Sequence, residues 1–399
     1  MMDKTADQVL AEIAAAIEIP ESAYETAEAR YLDLGRWFGR PESLCSKSAP
    51  HISVQGSFRL GTVNRPLNGD ETYDLDLVCN LERGVHKTVI SQEELKRLVG
   101  QDIESYRLAR RIEEEKKEKH RCWRLEYADQ MRFHMDILPC IPYDPERRIL
   151  LREAMMRAGA SEELAKTVAN LSVSITDDRH RFYHVVSDEW LVSNPIGFAR
   201  WFESRMRLAT LLLEKRLLEA RVARIDDLPA FRWKTPLQRA VQLLKRHRDI
   251  FFADHSELKP ASNILTTLAG MAYRGESGLA ETLNRCLDEM NRLVNRNVPR
   301  VANPVNPAED FADKWGTSDG QAKRLEECFW NWLAQAKADF NSIRTSTDTE
   351  FIAEQALKKL AVRLDSRELL AKVGFATPIV RLTPRVQTVS ERPARPWGR

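Results

Sequence analysis

The sequence predicts an α+β protein in which a mixed sheet with flanking helices precedes a helical domain. Strand-like runs with apolar residues at alternating positions are concentrated before about residue 195. From there onward, apolar residues recur at helical spacing in one segment after another. We therefore predict a core at 1–195, a helical domain at 196–374 and a basic, Pro-rich tail at 375–399 that is extended or disordered.

The composition is that of an ordinary soluble protein. With 43% hydrophobic and 30% charged residues and a net charge of +2, no global field draws the chain to nucleic acid or membrane. The six cysteines form no CxxC pair, which argues against a zinc site or a disulfide framework. The N-terminus has no signal-peptide core, and no apolar run approaches the roughly 18 residues of a membrane span. We expect a cytoplasmic protein that does not bind membranes.

The first elements alternate between helix and strand. Thr5–Ile19 and Ser22–Phe38 carry apolar residues at helical spacing, with Pro20 between them. Ile52–Val54 reads as a short strand that leads through Gly56-Ser57 into a short helix over Phe58–Val63. The next strand, Tyr73–Asn80, follows a loop with Asn-Gly-Asp turn chemistry.

The next segment is predicted as a helix and a hairpin. Ser91–Leu108 is helical, with Ser91 as its N-cap. The charge run Arg110–Arg121 is read as an exposed helix end or loop rather than a binding patch. Cys122–Tyr127 and Arg132–Leu138 form the hairpin, and its phase directs Asp136 away from the core.

The helical half is read from its apolar stripes and its punctuating residues. A Pro/Asn loop is predicted at Asn297–Asp310. Helices are predicted at Phe198–Arg221, from Thr235-Pro236 through Phe251, and at Asn263–Tyr273, Leu279–Leu293, Gln321–Phe340 and Glu350–Leu364.

Three aspartates and a Gly-Ser turn carry the chemistry. Asp74 and Asp76 are two residues apart on one strand, so their carboxylates emerge on one face, and Asp136 lies on a second strand. Carboxylates suit Mg²⁺, with Mn²⁺ as an alternative, and two such ions suit transfer of a phosphoryl or nucleotidyl group. Gly56 allows close backbone approach to a phosphate, and Ser57 offers an N–H and a hydroxyl. Solvated strand carboxylates are the alternative for any single Asp-x-Asp pair.

These residues carry a family resemblance. The pattern VQGSFRLGT, YDLDLVC and FHMDILPCIP resembles the nucleotidyltransferase core of the polymerase-β-like superfamily. Over roughly residues 1–345, the chain resembles more narrowly the bacterial cGAS/DncV-like nucleotidyltransferases (CD-NTases). The stretches that carry this narrower resemblance are DEWLVSNPIGFARWF, TPLQRAVQLLKRHRDIFF, ASNILTTLAG and NPVNPAEDFADKW.

The resemblance implies a polymerase-β-like core packed on a helical C-terminal domain, with the active site in the cleft between them. It implies a Mg²⁺-dependent enzyme that joins NTPs, ATP among them, into a cyclic di- or trinucleotide that signals phage infection, with release of pyrophosphate. Asp74, Asp76 and Asp136 would bind metal and catalyse. Lys245 and Ser262 match positions that hold the triphosphate, where the alternatives are a snorkelling surface lysine and a helix N-cap.

Other features set limits on this reading. No Cys/His cluster matches the zinc-binding insertion of the animal enzyme, and the helix at Ser22–Phe38 carries both signs of charge. We therefore expect no obligatory nucleic acid. His247 and the Asn303–Trp315 signature are interpreted as structural, and the tail Thr377–Arg399 is either a site for a protein regulator or simply disordered. The nucleobases are not readable.

Two further functions remain open at this point. One is a polymerase-β-like transferase that acts on RNA or protein, although the near-neutral charge disfavours RNA. The other is a non-catalytic nucleotide-binding scaffold, against which the complete set of Gly-Ser and three aspartates argues.

Overall fold

A computed structural model describes residues 2–67, 72–127, 132–219 and 234–373. The tail at 375–399, the Asn-Gly-Asp turn and the end of the helix predicted at Phe198–Arg221 lie outside these residues. Within them, no helix is both long enough and apolar enough to cross a membrane.

Seven of the nine described strands form one mixed sheet, as predicted. The strand order is β1-β2-β5-β4-β3. In addition, β6 pairs with β5, and β7 pairs with β6. The central strands β2 and β5 are parallel and the other pairs are antiparallel. The strands are β1 Pro50–Val54, β2 Tyr73–Leu81, β3 Lys117–Glu118, β4 Trp123–Tyr127, β5 Phe133–Pro142, β6 Val173–Ile175, β7 Leu191–Ser193, β8 Ala302–Asn303 and β9 Asn306–Asp310.

The described helices surround this sheet and then build the second half of the chain. They are α1 Met2–Ala16, α2 Glu21–Phe38, α3 Gly56–Leu60, α4 Gln92–Ala109, α5 Pro145–Arg157, α6 Glu162–Asn170, α7 Pro195–Glu219, α8 Pro236–Phe251, α9 Ser262–Ala272, α10 Leu279–Leu293, α11 Ser318–Ala322, α12 Leu325–Thr345, α13 Thr349–Leu360 and α14 Ser366–Val373.

The sheet buries one face under α2 and α4. The apolar stripes of these helices, including Leu34 and Val99, share a core with Leu75, Leu77 and Met135 of the central strands. The predicted N-cap of α4 is confirmed, because the Ser91 hydroxyl accepts from the Glu94 N–H and the Glu94 carboxylate accepts in return from the Ser91 N–H. With this face covered, the opposite face of β2 and β5 is left for the site.

A second core joins the helices that follow residue 195. Leu244 of α8, Leu268 of α9 and Trp332 of α12 are fully buried in it. The first helix also packs here, since Val9 and Ile13 of α1 belong to this second core. The packing of α1 therefore crosses the boundary predicted at 195/196, which remains a prediction.

The structure corrects three local predictions. The charge run predicted as an exposed helix end or loop at Arg110–Arg121 contains the short strand β3. The segment predicted as the loop Asn297–Asp310 contains the antiparallel pair β8 and β9. The helix predicted at Gln321–Phe340 is two helices, because Arg324 adopts a left-handed conformation with φ of 54° that ends one helical path before the next begins. The helix α5 had no prediction: its apolar residues face both ways, with Leu151 buried and Leu150 exposed, and so form no single stripe.

Candidate active site

The three predicted aspartates lie on one face of the two central strands. In the parallel pairing of β2 with β5, Asp76 stands directly opposite Asp136, and Asp74 stands opposite His134. Neighbouring strands are about 4.8 Å apart, so Asp76 and Asp136 are adjacent across the strand pair. The intervening residue Leu75 is buried on the other face. The strand pairing therefore brings the three carboxylates together.

The Gly-Ser turn is attached to the same strand. The Gln55 N–H donates to the Asp76 carbonyl at 2.8 Å, so the turn begins beside Asp76. Gly56 has φ of 64°, and a Cβ there would lie 2.2 Å from Asp76 Oδ2. Only glycine accommodates both the left-handed conformation and this close approach. Ser57 follows at the second position of α3.

Burial and the neighbouring carboxylates shift the pKa of Asp76. Burial, followed by the negative charges of Asp74 and Asp136, raises the pKa of Asp76 to about 7. Lys245 and Arg124 act in the opposite direction but do not offset this rise. A buried carboxyl beside two other carboxylates is one that retains a proton or is stabilised by a metal ion.

Arg124 is a site residue that the sequence reasoning missed. Its guanidinium forms a two-pronged pair with Asp136 (2.6 and 2.7 Å), and it lies 3.7 Å from Asp74 Oδ1. It also contacts His134 Nδ1 at 3.2 Å. The hydrogen bonds to Asp136 raise the pKa of Arg124. The sequence predicts the hairpin that contains both residues, and in the structure Arg124 pairs with Asp136 across its two strands. Pairing of the strands in that register would have placed Arg124 in the site.

Lys245 reaches the site from the helical half. From α8, its Nζ donates to the carbonyl of Thr62 at 2.9 Å, in the segment that follows α3. Burial lowers the pKa of Lys245 to about 8, and the charge of Asp76 partly opposes that change. The lysine predicted for phosphate binding thus contacts the segment that follows the Gly-Ser turn and is close enough to Asp76 to respond to its charge.

Ser262 is held by a different partner. Its hydroxyl accepts from Arg248 at 3.0 Å, and the same arginine donates to the Pro260 carbonyl. The N-cap position of α9 belongs to Ala261, and no side-chain cap bond is made there. The predicted phosphate ligand therefore lies beside a buried arginine of α8.

His247 and the Asn303–Trp315 signature play the structural parts expected of them. His247 is buried between Asp339, at 3.1 Å, and the indole N–H of Trp332, also at 3.1 Å. Burial lowers its pKa. Trp315 packs on Phe329 in the second core. These residues hold the helical half together.

The carboxylates are not arranged as a closed metal cluster. Among residues 2–67, 72–127, 132–219 and 234–373, no three His, Cys, Asp or Glu side chains are placed to hold a metal ion together. Both oxygens of Asp136 are directed to Arg124. The donor set is suited to a hard divalent cation, and each Asp136 oxygen can accept a second partner besides Arg124.

Comparison with known proteins identifies the family. The model of the DncV-like cyclic GMP-AMP synthase nucleotidyltransferase domain matches residues 50–139, which include the turn and all three aspartates. The c-di-GMP synthase of Roseivirga ehrenbergii is 30% identical over 316 residues, or 77% of this chain and 73% of the relative. The chain belongs to the CD-NTase family. It is therefore a nucleotidyltransferase of the class that makes cyclic oligonucleotides, and the predicted resemblance is confirmed.

A second relative agrees in sequence and fold. The cyclic dinucleotide synthase CdnG of Bradyrhizobium diazoefficiens is 28% identical over 334 residues, which cover 79% of this chain and 71% of the relative. The structure of that CD-NTase in complex with GTP superposes with a TM-score of 0.62 at 24% identity, covering 92% of this chain and 98% of the other. The α+β fold predicted from the sequence is thereby confirmed.

Proposed function

We propose that this chain joins two molecules of GTP into a cyclic dinucleotide in a Mg²⁺-dependent reaction. The observation that carries the proposal is the placement of Asp74, Asp76 and Asp136 on one face of two parallel strands, with Gly56 packed against Asp76. The choice of guanosine nucleotides rests on the names of the relatives, a c-di-GMP synthase and an enzyme solved with GTP. ATP, expected from the resemblance, is the second nucleotide to test.

Asp74, Asp76 and Asp136 would hold the metal. Carboxylate oxygens are the ligands that Mg²⁺ prefers, and the pKa of Asp76 is raised by burial and by the charges of Asp74 and Asp136, both of which a bound cation would offset. Mn²⁺ has compatible ligand chemistry. When bound, the divalent ions supply charge neutralisation on the triphosphate and acidify the attacking hydroxyl.

The chain's own residues then have distinct tasks. Gly56 and Ser57 present backbone and a hydroxyl to the phosphates of the donor nucleotide, and Lys245 and Ser262 add contacts from the helical half. Asp136 orients the attacking ribose hydroxyl. The hydroxyl oxygen attacks the α-phosphorus of the donor, the bond to pyrophosphate breaks, and the hydroxyl proton passes to solvent. The same exchange on the linear intermediate closes the ring.

We further propose that the product serves as a signal in defence against phage and that the enzyme acts in the cytoplasm. The support is family membership together with six cysteines that are all free thiols in the described residues. Regulation by a protein bound at the tail Thr377–Arg399, outside the described residues, remains a prediction.

The test is product analysis by chromatography and mass spectrometry. Labelled GTP, with and without each other NTP, is incubated with Mg²⁺, and the label is challenged with phosphatase. A phosphatase-resistant cyclic species is expected from GTP alone. Label transferred to added RNA or to protein would replace the proposal with the macromolecular transferase, and tight binding without turnover would replace it with a scaffold.

Variants tie that product to the site. The double change Asp74→Asn and Asp76→Asn should lower product formation by at least about a thousandfold, because charge stabilisation of the transferring phosphate is lost. The matched control is Asp319→Asn, a surface aspartate that is 73% exposed, and it should keep full activity. Product formation by the double variant at the rate of the control would contradict the metal assignment.

A further inference from the structure

One face of α8 holds the segment that follows the Gly-Ser turn. We call residues Leu60–Arg65 the strap. Donors at positions 238, 242, 245 and 246 of α8 recur at helical spacing, so they lie on one face of the helix. They bond to four carbonyls of the strap: Gln238 Nε2 to Leu60 at 3.0 Å, Gln242 Nε2 to Val63 at 2.7 Å, Lys245 Nζ to Thr62 at 2.9 Å, and the Arg246 guanidinium to Arg65.

The strap depends on these donors for its hydrogen bonds. Leu60 ends α3, and the other residues of the strap belong to no helix or strand. Their carbonyls therefore have no hydrogen-bond partners within regular secondary structure. A buried carbonyl without a partner destabilises the fold by about 1–3 kcal/mol. Gln242 is fully buried, and its main-chain carbonyl also accepts from Asn64 Nδ2 at 2.9 Å. Side chains of α8 thus supply the hydrogen bonds that a neighbouring strand would otherwise supply.

The strap is continuous with the nucleotide-binding turn. The N–H groups of Gly61 and Thr62 both donate to the Ser57 carbonyl. Gly61 has φ of 66°, and a Cβ there would lie 2.5 Å from Gln238 Nε2. A shift of the strap along α8 would therefore move Ser57 and, with it, the contact of Gly56 with Asp76.

The other end of the strap is fixed to the start of the chain. The Arg65 N–H donates to the Ile17 carbonyl at 2.8 Å, and Arg65 Nε donates to the Glu18 carbonyl. The Glu18 carboxylate accepts from Lys234, at 2.6 Å, and from Gln242, at 3.3 Å. Both ends are thus anchored, and the donors of α8 set the position between them.

Lys245 differs from its neighbours on this face in one respect. Its ammonium group is the donor assigned above to the triphosphate, so nucleotide binding would draw it away from the Thr62 carbonyl. Gln238 and Gln242 are neutral, so a bound phosphate attracts them less than it attracts the ammonium group of Lys245; the Nε2 of Gln242 also donates to the Glu18 carboxylate. Together with Arg246, which donates to the Arg65 carbonyl, they can hold the strap while Lys245 binds phosphate.

We propose that Gln238 and Gln242 are positioning residues for the donor nucleotide: they hold the strap against α8 and thereby keep the Gly56-Ser57 turn in register with Asp76. This inference rests on the proposed function. Neither glutamine contacts substrate. Their loss should weaken the binding of the triphosphate more than it slows the chemistry of bound nucleotide, because the aspartates stay in place on β2 and β5.

The experiment uses the full chain with Gln238→Met and Gln242→Met, which keep side-chain length and remove the donor. We expect KM for GTP to rise about tenfold in each variant, the effect of losing the bond to the strap, with kcat changed less than about threefold. Gln238→Met also removes the acceptor of the Thr235 N–H, and Gln242→Met also removes the bond to Glu18. A second readout is equilibrium binding of α,β-methylene GTP, an analogue that cannot be transferred. Its Kd should rise by the same factor.

The matched control is Gln92→Met. Gln92 is also fully buried and also makes two hydrogen bonds, to His180 and to the Asp177 N–H, but it lies at the start of α4. It should lower the melting temperature as much as Gln242→Met while leaving KM and Kd unchanged. Unchanged nucleotide Kd in both strap variants, with wild-type binding intact, would overturn this inference. Absence of nucleotide binding by the wild type would instead overturn the proposed function.

Discussion

At the scale of single residues, the site combines groups that destabilise one another in the absence of a ligand. Asp76 faces Asp136 across the strand pair, and Gly56 leaves no room between the turn and the carboxylate. The guanidinium of Arg124 balances part of this charge from the neighbouring strand. An arrangement of this kind is expected of a site that is completed by a cation.

Asp76→Asn should therefore stabilise the metal-free protein while it abolishes product. The folded-state pKa of Asp76, about 7, exceeds the ordinary 3.8, so the folded chain retains a proton that the unfolded chain has lost. The resulting loss of stability grows as pH rises above 3.8 and is complete above about pH 7. In EDTA at about pH 8, we expect the variant to melt roughly 3 °C above wild type.

The pH dependence of that difference is its control. At about pH 5.5 the difference in melting temperature should shrink, because wild-type Asp76 is then mostly protonated in the folded state. The same two proteins are measured by thermal melting across this range. A variant that melts below wild type at both pH values would show that the carboxylate is already compensated without metal.

The residue scale also shows what the sequence could and could not reveal about the site. The period-two phase of β2 and β5 was sufficient to place Asp74, Asp76 and Asp136 on one face. Arg124 was missed because its role depends on hairpin register, which pairs it with Asp136, rather than on a pattern along its own strand. Charged residues that lie opposite a metal-binding carboxylate on a neighbouring strand therefore belong to the same site.

At the scale of elements, α8 links the two halves of the site. Its N-terminus was readable from Thr235-Pro236, and the capping box of Thr235 with Gln238 confirms that prediction. The same Gln238 then donates to the strap. That second contact joins residues 178 positions apart and leaves no periodic signal, so the sequence could not disclose it.

Lys245→Met tests the electrostatic role of α8. Burial lowers the pKa of Lys245 to about 8 from an ordinary 10.5, so between these values the unfolded chain holds a proton that the folded chain lacks. Because of this group, the free energy of unfolding of the wild type rises as pH increases from about 8 to 10.5. Below about pH 8, the lysine destabilises the folded chain by its full amount. The free energy of unfolding of wild type minus that of the variant should therefore rise by about 1–2 kcal/mol between about pH 7 and pH 9.5.

Urea unfolding of the metal-free proteins at several pH values provides the measurement. Lys358→Met serves as the control, since this lysine is exposed and pairs with Glu354 one turn away. Its difference from wild type should stay flat across the same range. A flat difference for Lys245→Met as well would show that its ammonium remains solvated.

At the scale of the whole molecule, the two cores are joined by several contacts. The strap connects α3 to α8. Glu18, Lys234 and Gln242, which we call the Glu18 cluster, connect the residues after α1 to the start of α8. Arg59 of α3 pairs with Glu203 of α7. The fold class was predictable from the change in apolar period near residue 195. The crossing of α1 into the helical core was not, because its amphipathic stripe indicates burial without indicating the partner.

This connectivity predicts that the described parts of both halves unfold together. Ile13 of α1 is fully buried in the helical core, so Ile13→Ala should lower the free energy of unfolding by about 2–5 kcal/mol, and Ile13→Val by about 1. Hydrogen exchange by mass spectrometry should show α10 and β5 losing protection at the same, lower urea concentration, although Ile13 shares a core with only the first. If β5 kept its wild-type protection while α10 opened, the strap and the Glu18 cluster would not couple the halves, and the cleft would be a junction of independently stable units.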